Sequence, residues 1–295
     1  MRKQTPIVTA IIVTLNEGDL LRQTVEDFER TLPPHSEIIV VDDGSTDGSL
    51  DFLRDRRGDV RVIPTSGIGV ARARNTGARA ASGDVLIFAD AHIRVESGSW
   101  QPLIDALQNP TAGAVNPAVT EMGVANSRIG YGMKFGGFDL SSGWLYESPT
   151  APTSVPLLLW ACAAMRRSLF EDTCGFDEGM IRWGSIDNEM SFRLCLEGFE
   201  LQVVPGVRVS HLFRDTRPYP MTWSPALHNR LRLALVHFEA HHCAKVVDAL
   251  RNHEAFPDGM ALMAGSDIAA RRRALESRKV RDSVWWFDTM AAMAG

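Results

Sequence analysis

The sequence predicts an α/β protein built on a single doubly wound, mostly parallel sheet, with a helical extension at its C-terminal end. Two patterns predict this fold. Short apolar runs alternate with amphipathic helical segments over the first ninety residues, as in a parallel sheet covered by helices. From residue 225 onward the spacing of apolar residues is largely helical. Because ligands bind at the carboxyl edge of such a sheet, we expect functional residues where the strands end.

The predicted strands of the first half are apolar and rich in β-branched residues. They cover residues 7–15, 37–41, 60–64 and 85–89. Helices are expected between them, at residues 20–30, 49–56 and 67–81. Because a helix separates each strand from the next, consecutive strands are expected to run in the same direction.

The second half has a weaker periodicity. Strands are predicted at residues 113–119, 201–204 and 207–209, and helices at residues 100–107 and 187–197. Residues 130–153 are rich in glycine, serine and proline, with aromatic residues interspersed. A long loop of this composition inside a compact domain favours a functional loop or lid.

A basic helix is predicted over residues 271–290, and it carries the aromatic run Trp285, Trp286 and Phe287. We expect these aromatic residues to pack on the main domain, or on a second subunit in a homodimer formed through the C-terminal helices. Contact with an anionic membrane is the alternative interpretation of such a helix, and it is not favoured here.

Composition and charge narrow the class of protein. With 45% hydrophobic residues, the 295-residue chain can bury a full core. A net charge of −5 offers no basic surface for nucleic acid. The four cysteines lie far apart and form no C-x-x-C pair, as expected of reduced thiols inside a cell. No signal-peptide pattern precedes the first strand, so we expect a cytoplasmic protein.

The fourth predicted strand ends in Asp90-Ala91-His92. Side chains two residues apart on an extended segment point the same way, so Asp90 and His92 can meet one ion. A carboxylate combined with an imidazole suits Mn²⁺ better than a magnesium site or a thiolate zinc site. The alternative is an aspartate that caps a turn beside an incidental histidine. His211 follows a late strand and is expected at the same edge of the sheet.

Other polar residues are expected at this edge as well. Asp42 follows the second strand and is placed to accept hydrogen bonds from a base or a ribose hydroxyl. Arg72, near the start of its helix, can face a base or a phosphate. Arg74 is equally suited to a ligand and to a neighbouring carboxylate.

The segments I-V-T-L-N-E and I-I-V-V-D-D-G-S-T-D resemble the nucleotide-binding half of family 2 glycosyltransferases, whose fold is called GT-A. Residues 180–193 and 201–214 resemble the catalytic domain of polypeptide N-acetylgalactosaminyltransferases. By this resemblance we place a GT-A domain at residues 1–220, with a nucleotide-binding half of about 1–95 and an acceptor half of about 96–220. The C-terminal helical extension, 221–295, is expected to pack on it.

The resemblance implies a UDP-sugar donor and Mn²⁺, with Mg²⁺ possible as the metal. It implies that Asp90, His92 and His211 hold the metal. The implied donor site, which also includes Asp90, consists of Val13, Glu17, Asp42, Arg72, Trp183, Arg214 and Tyr219. A cation and hydrogen-bond donors near the diphosphate suit the chemistry, because negative charge develops on that leaving group.

Two departures from the resembling family affect the expected chemistry. That family has Glu-Asn where this chain has Ile186-Asp187, whereas inverting family 2 enzymes place a general base where Asp187 stands. Asp187 and Glu189 fit the inverting pattern; the alternatives are a helix-capping role and a retaining reaction like that of the resembling family. Trp160 stands where that family keeps small residues near the sugar, so we expect a reshaped donor pocket.

The sequence therefore predicts a metal-dependent glycosyltransferase acting on a hydroxyl or thiol acceptor. A Ser, Thr or Cys side chain of a peptide is the first acceptor to consider, and a saccharide or small natural product is the second. A nucleotidyltransferase would require a Gly- and Lys/Arg-rich phosphate loop after the first strand, where this chain has Asn16-Glu17-Gly18. The non-enzymatic alternative is a nucleotide-sugar sensor.

Overall fold

The computed structural model describes residues 7–54, 60–97, 99–214 and 222–292. Its strands, in chain order, are β1 (Val8–Thr14), β2 (Glu37–Asp42), β3 (Val60–Pro64), β4 (Val85–Asp90), β5 (Ile93–Ser97), β6 (Ala112–Glu121), β7 (Met133–Phe135), β8 (Ser142–Trp144), β9 (Thr153–Ser154), β10 (Cys162–Arg166) and β11 (Glu200–His211). The central nine-stranded sheet has the order β3-β2-β1-β4-β10-β6-β11-β5, and β9 pairs with β11 outside this path.

Helices cover both faces of the sheet. They are α1 (Asp19–Thr31), α2 (Val70–Ala80), α3 (Gln101–Ala106), α4 (Arg167–Asp172), α5 (Ile186–Leu196), α6 (Trp223–His237), α7 (Ala240–Leu250), α8 (Phe256–Met263), α9 (Ile268–Glu276) and α10 (Ser283–Ala292). A short 3-10 turn spans Asp51–Leu53.

The first four strands form the parallel half of the sheet. β1 pairs in parallel with β2 and β4, and β2 pairs in parallel with β3. These strands form where runs of apolar, largely β-branched residues can be buried on both faces. Their carboxyl ends are level, because Val13 is in register with Asp90 and Thr14 with Asp42. The predicted parallel sheet is confirmed in this half of the molecule.

The other half of the sheet is mixed. β10 runs antiparallel to both β4 and β6, whereas β11 runs parallel to β6 and antiparallel to β5. The two strands predicted between residues 201 and 209 are one strand, β11, whose pairing with β6 shifts between Val204 and Arg208. Pro205, which has no N–H to donate, lies within this shift. The strand ends with His211 paired to Ile93 of β5.

The strands β7 and β8 form a small hairpin apart from the main sheet. Isolated bridges from Gly130 to Val119 and from Met133 to Leu157 connect this region to its surroundings. The segment predicted as a functional loop therefore contains a short two-stranded sheet.

Some predicted elements differ from the structure. The helix predicted at residues 49–56 is wrong over its described part, which holds only the 3-10 turn. The Asp47 carboxylate accepts hydrogen bonds from the backbone and hydroxyl of Ser49, and such a local turn competes with helix formation. The long tail helix is broken into α9 and α10, and the short elements β5, α4 and α8 were not predicted.

The core lies on both faces of the sheet. Leu21 and Phe28 of α1 belong to the cluster on one face, and Met190 of α5 and Leu231 of α6 belong to the cluster on the other. Trp286 of α10 joins this second cluster and is only 3% exposed. The C-terminal aromatic residues therefore pack into the same core as the sheet.

All four cysteines are free thiols. Within the described ranges, the helices are too short or too polar to cross a membrane.

Candidate active site

Asp90, His92 and His211 meet at the carboxyl edge of the sheet. β4 ends at Asp90, and His92 follows in the turn before β5. His211 ends β11 and is brought beside His92 by the pairing of β11 with β5. The Nε2 atoms of His211 and His92 lie 3.6 and 3.9 Å from Oδ2 of Asp90. The three ligand atoms all lie within 4.8 Å of one another.

This arrangement fits a divalent metal. With metal–ligand bonds of about 2.1 Å, two atoms on one ion are at most about 4.2 Å apart, and both distances from Asp90 are shorter. Nδ1 of His211 is buried and has no hydrogen-bond partner among the described residues. Nδ1 of His92 lies 3.1 Å from Oε2 of Glu17, although the carboxylate is off the line of a hydrogen bond. A carboxylate beside a ligating histidine is a common arrangement at metal sites.

The protonation of the cluster also suits a cation. Burial would raise the pKa of Asp90, but contact with His211 and the charge of Arg74 outweigh it and hold the pKa well below its usual value. Burial lowers the pKa of His211, against the opposing effect of Asp90. An ionised carboxylate and a neutral imidazole are the forms that bind metals.

Helix α1 fixes the backbone around His92. The Thr24 hydroxyl lies 2.9 Å from the carbonyl oxygens of Ala91 and Ile93 and accepts a hydrogen bond from the Ile93 N–H. One turn later, the Asp27 carboxylate accepts hydrogen bonds from the Val95 N–H and the Arg94 guanidinium. These contacts hold the segment that joins β4 to β5, and with it the His92 side chain.

Arg74 links the metal-binding cluster to Asp187. Its guanidinium is 3% exposed and donates to Oδ1 of Asp187 at 2.9 Å and to Oδ1 of Asp90 at 3.2 Å. It also donates to the carbonyl oxygen of Trp160 at 3.0 Å. Of the two alternatives for Arg74, binding of neighbouring carboxylates is the one observed.

Asp187 lies at the start of α5 and is accessible from the cavity described below. Its Oδ2 accepts a hydrogen bond from the Trp160 N–H at 3.0 Å, and 27% of the side chain is exposed. Burial raises the pKa of Asp187, and the charge of Arg74 opposes that effect. A carboxylate with a raised pKa is better suited to accept a proton than an ordinary one.

A cavity of about 390 Å³ opens beside these groups. Of the residues predicted from the sequence, it is lined by Glu17, Asp90, His92, Trp183, Asp187, His211 and Arg214. Arg214 donates to both carboxylate oxygens of Glu17. Glu17 thus contacts both a candidate metal ligand, His92, and a candidate phosphate-binding residue, Arg214.

Other predicted donor residues lie outside the lining of this cavity. Val13 and Asp42 are at the level carboxyl ends of β1 and β2, where Asp42 accepts a hydrogen bond from the Ser45 N–H. Arg72 is exposed and donates to the carbonyl oxygen of Glu178. Their predicted contacts with uridine stay predictions. Tyr219 lies outside the described residues.

The structure does not support a catalytic contact for Glu189. Its side chain is 1% exposed and forms an ion pair with Arg193 at 2.8 Å, and it lies 2.9 Å from Nε2 of His237. Burial would raise the pKa of Glu189, but Arg193 and His237 outweigh it and lower that pKa. Residues two apart on a helix point to opposite sides, so Glu189 faces the core when Asp187 faces the cavity.

The Trp160 indole does not line the cavity. It is fully buried, and Nε1 donates to the Ser191 hydroxyl at 3.0 Å. The neighbouring residues Leu159 and Ala161 line the cavity instead. Trp160 acts at the site through its backbone, whose N–H and carbonyl oxygen bind Asp187 and Arg74.

The cavity also has polar residues that no sequence motif indicated. Ser142 of the hairpin donates to the side chain of Asn188 on α5 at 3.0 Å, and both line the cavity. Arg230 of α6 lines it too. The one sequence feature that could have indicated Arg230 is its helical spacing: it lies four residues after Ala226, which also lines the cavity.

Comparison with known proteins identifies the family. The sequence profile described as "Glycosyl transferase family 2" matches residues 9–174, which is more than half of the chain. The chain belongs to glycosyl transferase family 2. The match covers the parallel half of the sheet and continues past β10, so this family 2 chain carries Asp90 and His92 inside the matched region.

Curated relatives of this family 2 chain include polypeptide N-acetylgalactosaminyltransferases. It is 28% identical over 263 residues to the human "Probable polypeptide N-acetylgalactosaminyltransferase 8", covering 81% of this chain and 41% of the relative. It is 32% identical over 259 residues to polypeptide N-acetylgalactosaminyltransferase 11 of Xenopus tropicalis, covering 78% and 42%. The chain thus spans about two fifths of the length of these relatives.

Solved structures show the fold of the family 2 chain. A crystal structure of GalNAc-T7 with UDP, GalNAc and Mn²⁺ superposes with a TM-score of 0.83 at 23% identity, covering 98% of this chain and 57% of that one. The mannosyltransferase PcManGT from Pyrobaculum calidifontis, in complex with GDP-Man and Mn²⁺, superposes with a TM-score of 0.57 at 22% identity. This match covers 98% of this chain and 85% of that one. The predicted GT-A fold is confirmed.

Proposed function

We propose that this family 2 chain is a metal-dependent glycosyltransferase that moves a sugar from a UDP-sugar to a hydroxyl or thiol acceptor. The observation that carries the proposal is the convergence of Asp90, His92 and His211 in a cavity that Asp187 also lines. This combination provides a cation site for a diphosphate and a carboxylate for the acceptor within one cavity. A sensor that only binds nucleotide sugars would not need the carboxylate.

The donor and the metal are proposed from the donor set and from the relatives. A carboxylate oxygen and two imidazole nitrogens favour Mn²⁺, with Mg²⁺ as the second choice. Asp90, His92 and His211 would hold the metal, which would neutralise charge on the departing diphosphate. Arg214 and Trp183, which line the same cavity, are proposed to bind the phosphates. A UDP-bound, Mn²⁺-bound structure of a related fold supports this choice.

Asp187 is proposed as the general base of an inverting reaction. It accepts the proton of the acceptor hydroxyl or thiol as that atom bonds to the anomeric carbon and the bond to the diphosphate breaks. Arg74 and the Trp160 N–H hold the carboxylate in place by separate oxygens, which leaves lone pairs on both oxygens for the acceptor.

The acceptor is proposed to be a Ser, Thr or Cys side chain of a peptide. Relatives named polypeptide N-acetylgalactosaminyltransferases support a peptide. The hairpin residue Ser142 lies in the cavity wall, so an acceptor entering past β7 and β8 would reach Asp187. A saccharide or small natural product is the second candidate.

Isothermal titration tests the donor and the metal. UDP, GDP, dTDP and CDP are titrated into the protein with Mn²⁺ and then with EDTA. We expect UDP to bind most tightly and only with Mn²⁺, and His211→Ala to weaken that binding by tenfold or more. His241→Ala, which removes an exposed histidine on α7, is the matched control. Binding that is independent of the metal, or a preference for another base, would contradict the proposal.

The stereochemistry is tested on the product. Proton NMR of the newly formed anomeric centre should show inversion of the donor configuration, and Asp187→Asn should lower kcat by at least about a hundredfold. The buried neighbours make asparagine the suitable replacement, because its amide keeps the shape of the carboxylate. Retention of configuration, or full activity of Asp187→Asn, would show that Asp187 is not the base.

A further inference from the structure

The charged groups of the cavity wall are paired, with one exception. Glu17 is paired with Arg214, and Arg74 with Asp90 and Asp187. Arg230 lines the same cavity. Among the described residues it has no hydrogen-bond or ion-pair partner, and only the longer-range charge of Asp139 acts on it.

The fold directs Arg230 into the cavity. Helix α6 is fixed against residues 181–184 by Asn229, whose side chain donates to the Gly184 carbonyl oxygen at 2.8 Å and accepts from the Ile181 N–H. Ala226 lines the cavity, and Arg230 lies one helical turn later on the same side. The Arg230 side chain is half-buried there.

Arg230 and the metal-binding cluster belong to different elements of the fold. The carboxylate that acts on it from a distance, Asp139, belongs to the turn between β7 and β8 and is itself bonded to Ser141. Arg230 is therefore part of the wall formed by α6 and the hairpin. The wall with Asp90, His92 and His211 comes from β4, β5 and β11.

A half-buried arginine without a close partner is costly. Burial lowers the pKa of Arg230, because the charged form has lost part of its hydration. Such a desolvated charge is stabilised when a ligand supplies the opposite charge. The planar guanidinium is suited to bind carboxylate or phosphate oxygens through two parallel hydrogen bonds.

We propose that Arg230 determines specificity by binding an anionic oxygen group of the substrate, in first place an acidic side chain next to the modified residue of a peptide acceptor. This inference rests on the proposed glycosyltransferase function. The donor can supply an anionic group of the same kind, namely the carboxylate of a uronic acid sugar. The acceptor is preferred because the wall around Arg230 includes the hairpin.

Binding measurements distinguish the two sources. For the acceptor, a labelled serine peptide flanked by aspartates and the same peptide with asparagines are titrated in the presence of UDP and Mn²⁺. For the donor, UDP-glucuronate is compared with UDP-glucose. Each ratio of affinities is measured for wild type, Arg230→Met, Arg230→Lys and Arg273→Met. Arg273 is exposed on α9 and serves as the control.

We expect the preference for the aspartate peptide to fall by tenfold or more in Arg230→Met and by less in Arg230→Lys, with the control equal to wild type. A fall limited to the UDP-glucuronate ratio would assign the anion to the donor. If the ratio of affinities within each probe pair were the same in wild type and Arg230→Met, and wild type still bound UDP with Mn²⁺, the inference about Arg230 would be overturned but the proposed function would not. Failure of wild type to bind UDP with Mn²⁺ would overturn the proposed function, and this inference with it.

Discussion

Arg74 and Asp187 form a partly buried ion pair across 113 residues of sequence, with Nη1 of Arg74 2.9 Å from Oδ1 of Asp187. The same guanidinium bonds to Asp90 at 3.2 Å. One arginine therefore positions both the carboxylate proposed to bind metal and the carboxylate proposed to accept the proton. The two proposed sites are connected through its side chain.

Arg74→Lys should weaken Mn²⁺ binding by about tenfold to a hundredfold, the range seen when a group that orients metal ligands is removed. Lysine keeps the positive charge, but its single ammonium cannot hold two carboxylates in the geometry of a guanidinium. Titration of Mn²⁺ followed by electron paramagnetic resonance measures the change. Arg79→Lys is the control, because Arg79 forms an exposed pair with Glu178. Unchanged Mn²⁺ affinity in Arg74→Lys would show that Asp90 is positioned without Arg74.

Glu189→Gln should reduce the free energy of unfolding by about 3–5 kcal/mol, because the Arg193 charge stays buried without its partner. Urea unfolding measures the loss. Glu171→Gln is a matched control, since Glu171 and Arg167 have the same four-residue spacing but lie on the surface; its expected effect is below about 1 kcal/mol. A stable Glu189→Gln protein with strongly reduced kcat would restore Glu189 as a catalytic candidate.

The free energy of unfolding should depend on pH in the acid range because of Asp27. Burial would raise its pKa, but Arg94 and Arg30 outweigh it and lower that pKa. A lowered pKa contributes stability that is complete above the unfolded pKa of about 3.9 and is lost as the pH falls through the lower folded value. Wild type should therefore have a higher free energy of unfolding than Asp27→Asn at neutral pH. This difference should shrink below about pH 4. Chemical unfolding across this range measures it.

The control for that series is Asp248→Asn, since the Asp248 side chain is 69% exposed. Its difference from wild type should be small at every pH. If the difference in free energy of unfolding between wild type and Asp27→Asn stayed constant or grew in acid, the Asp27 pKa would not be lowered.

Trp286→Ala should cost about 3–5 kcal/mol of unfolding free energy, the usual range for removing a buried aromatic side chain. The centroid of the Trp286 ring lies 5.0 Å from the ring centroids of both Phe135 and Phe192. The cavity left by the substitution would therefore be in the main core. Trp223→Ala, at a position 49% exposed, should change stability far less. Equal effects of the two changes would show that α10 adds nothing to the core.

The parallel half of the fold was predictable because its strands are buried on both faces. A strand in that position must be apolar along its length, so β1, β2 and β4 appear in the sequence as continuous apolar runs. The same physics locates Asp90, since a carboxylate is expected where a strand buried on both faces ends. Short elements such as β5 and α4 have too few residues to show a period.

The sequence was less informative about which way side chains point and which partners they take. Glu189 fits a motif, yet the helical period turns it from the cavity toward Arg193. Trp160 occupies the expected place, but its indole lies in the core, where Nε1 donates to the Ser191 hydroxyl. Arg230 has no motif, and its proposed role rests on a place in the cavity wall without a close partner among the described residues, which only three-dimensional contacts reveal.

The hairpin of β7 and β8 is joined to the surrounding backbone, in the part of the chain described, through the isolated bridges at Gly130 and Met133. Its turn is also anchored by side chains, because Leu140 is fully buried in the core and its carbonyl oxygen accepts a hydrogen bond from Asn188. Leu140 and Asn188 both line the cavity as well. A change in the length of this turn would therefore disturb the cavity wall and the core together, so the shape of the cavity mouth and the stability of the fold cannot vary independently.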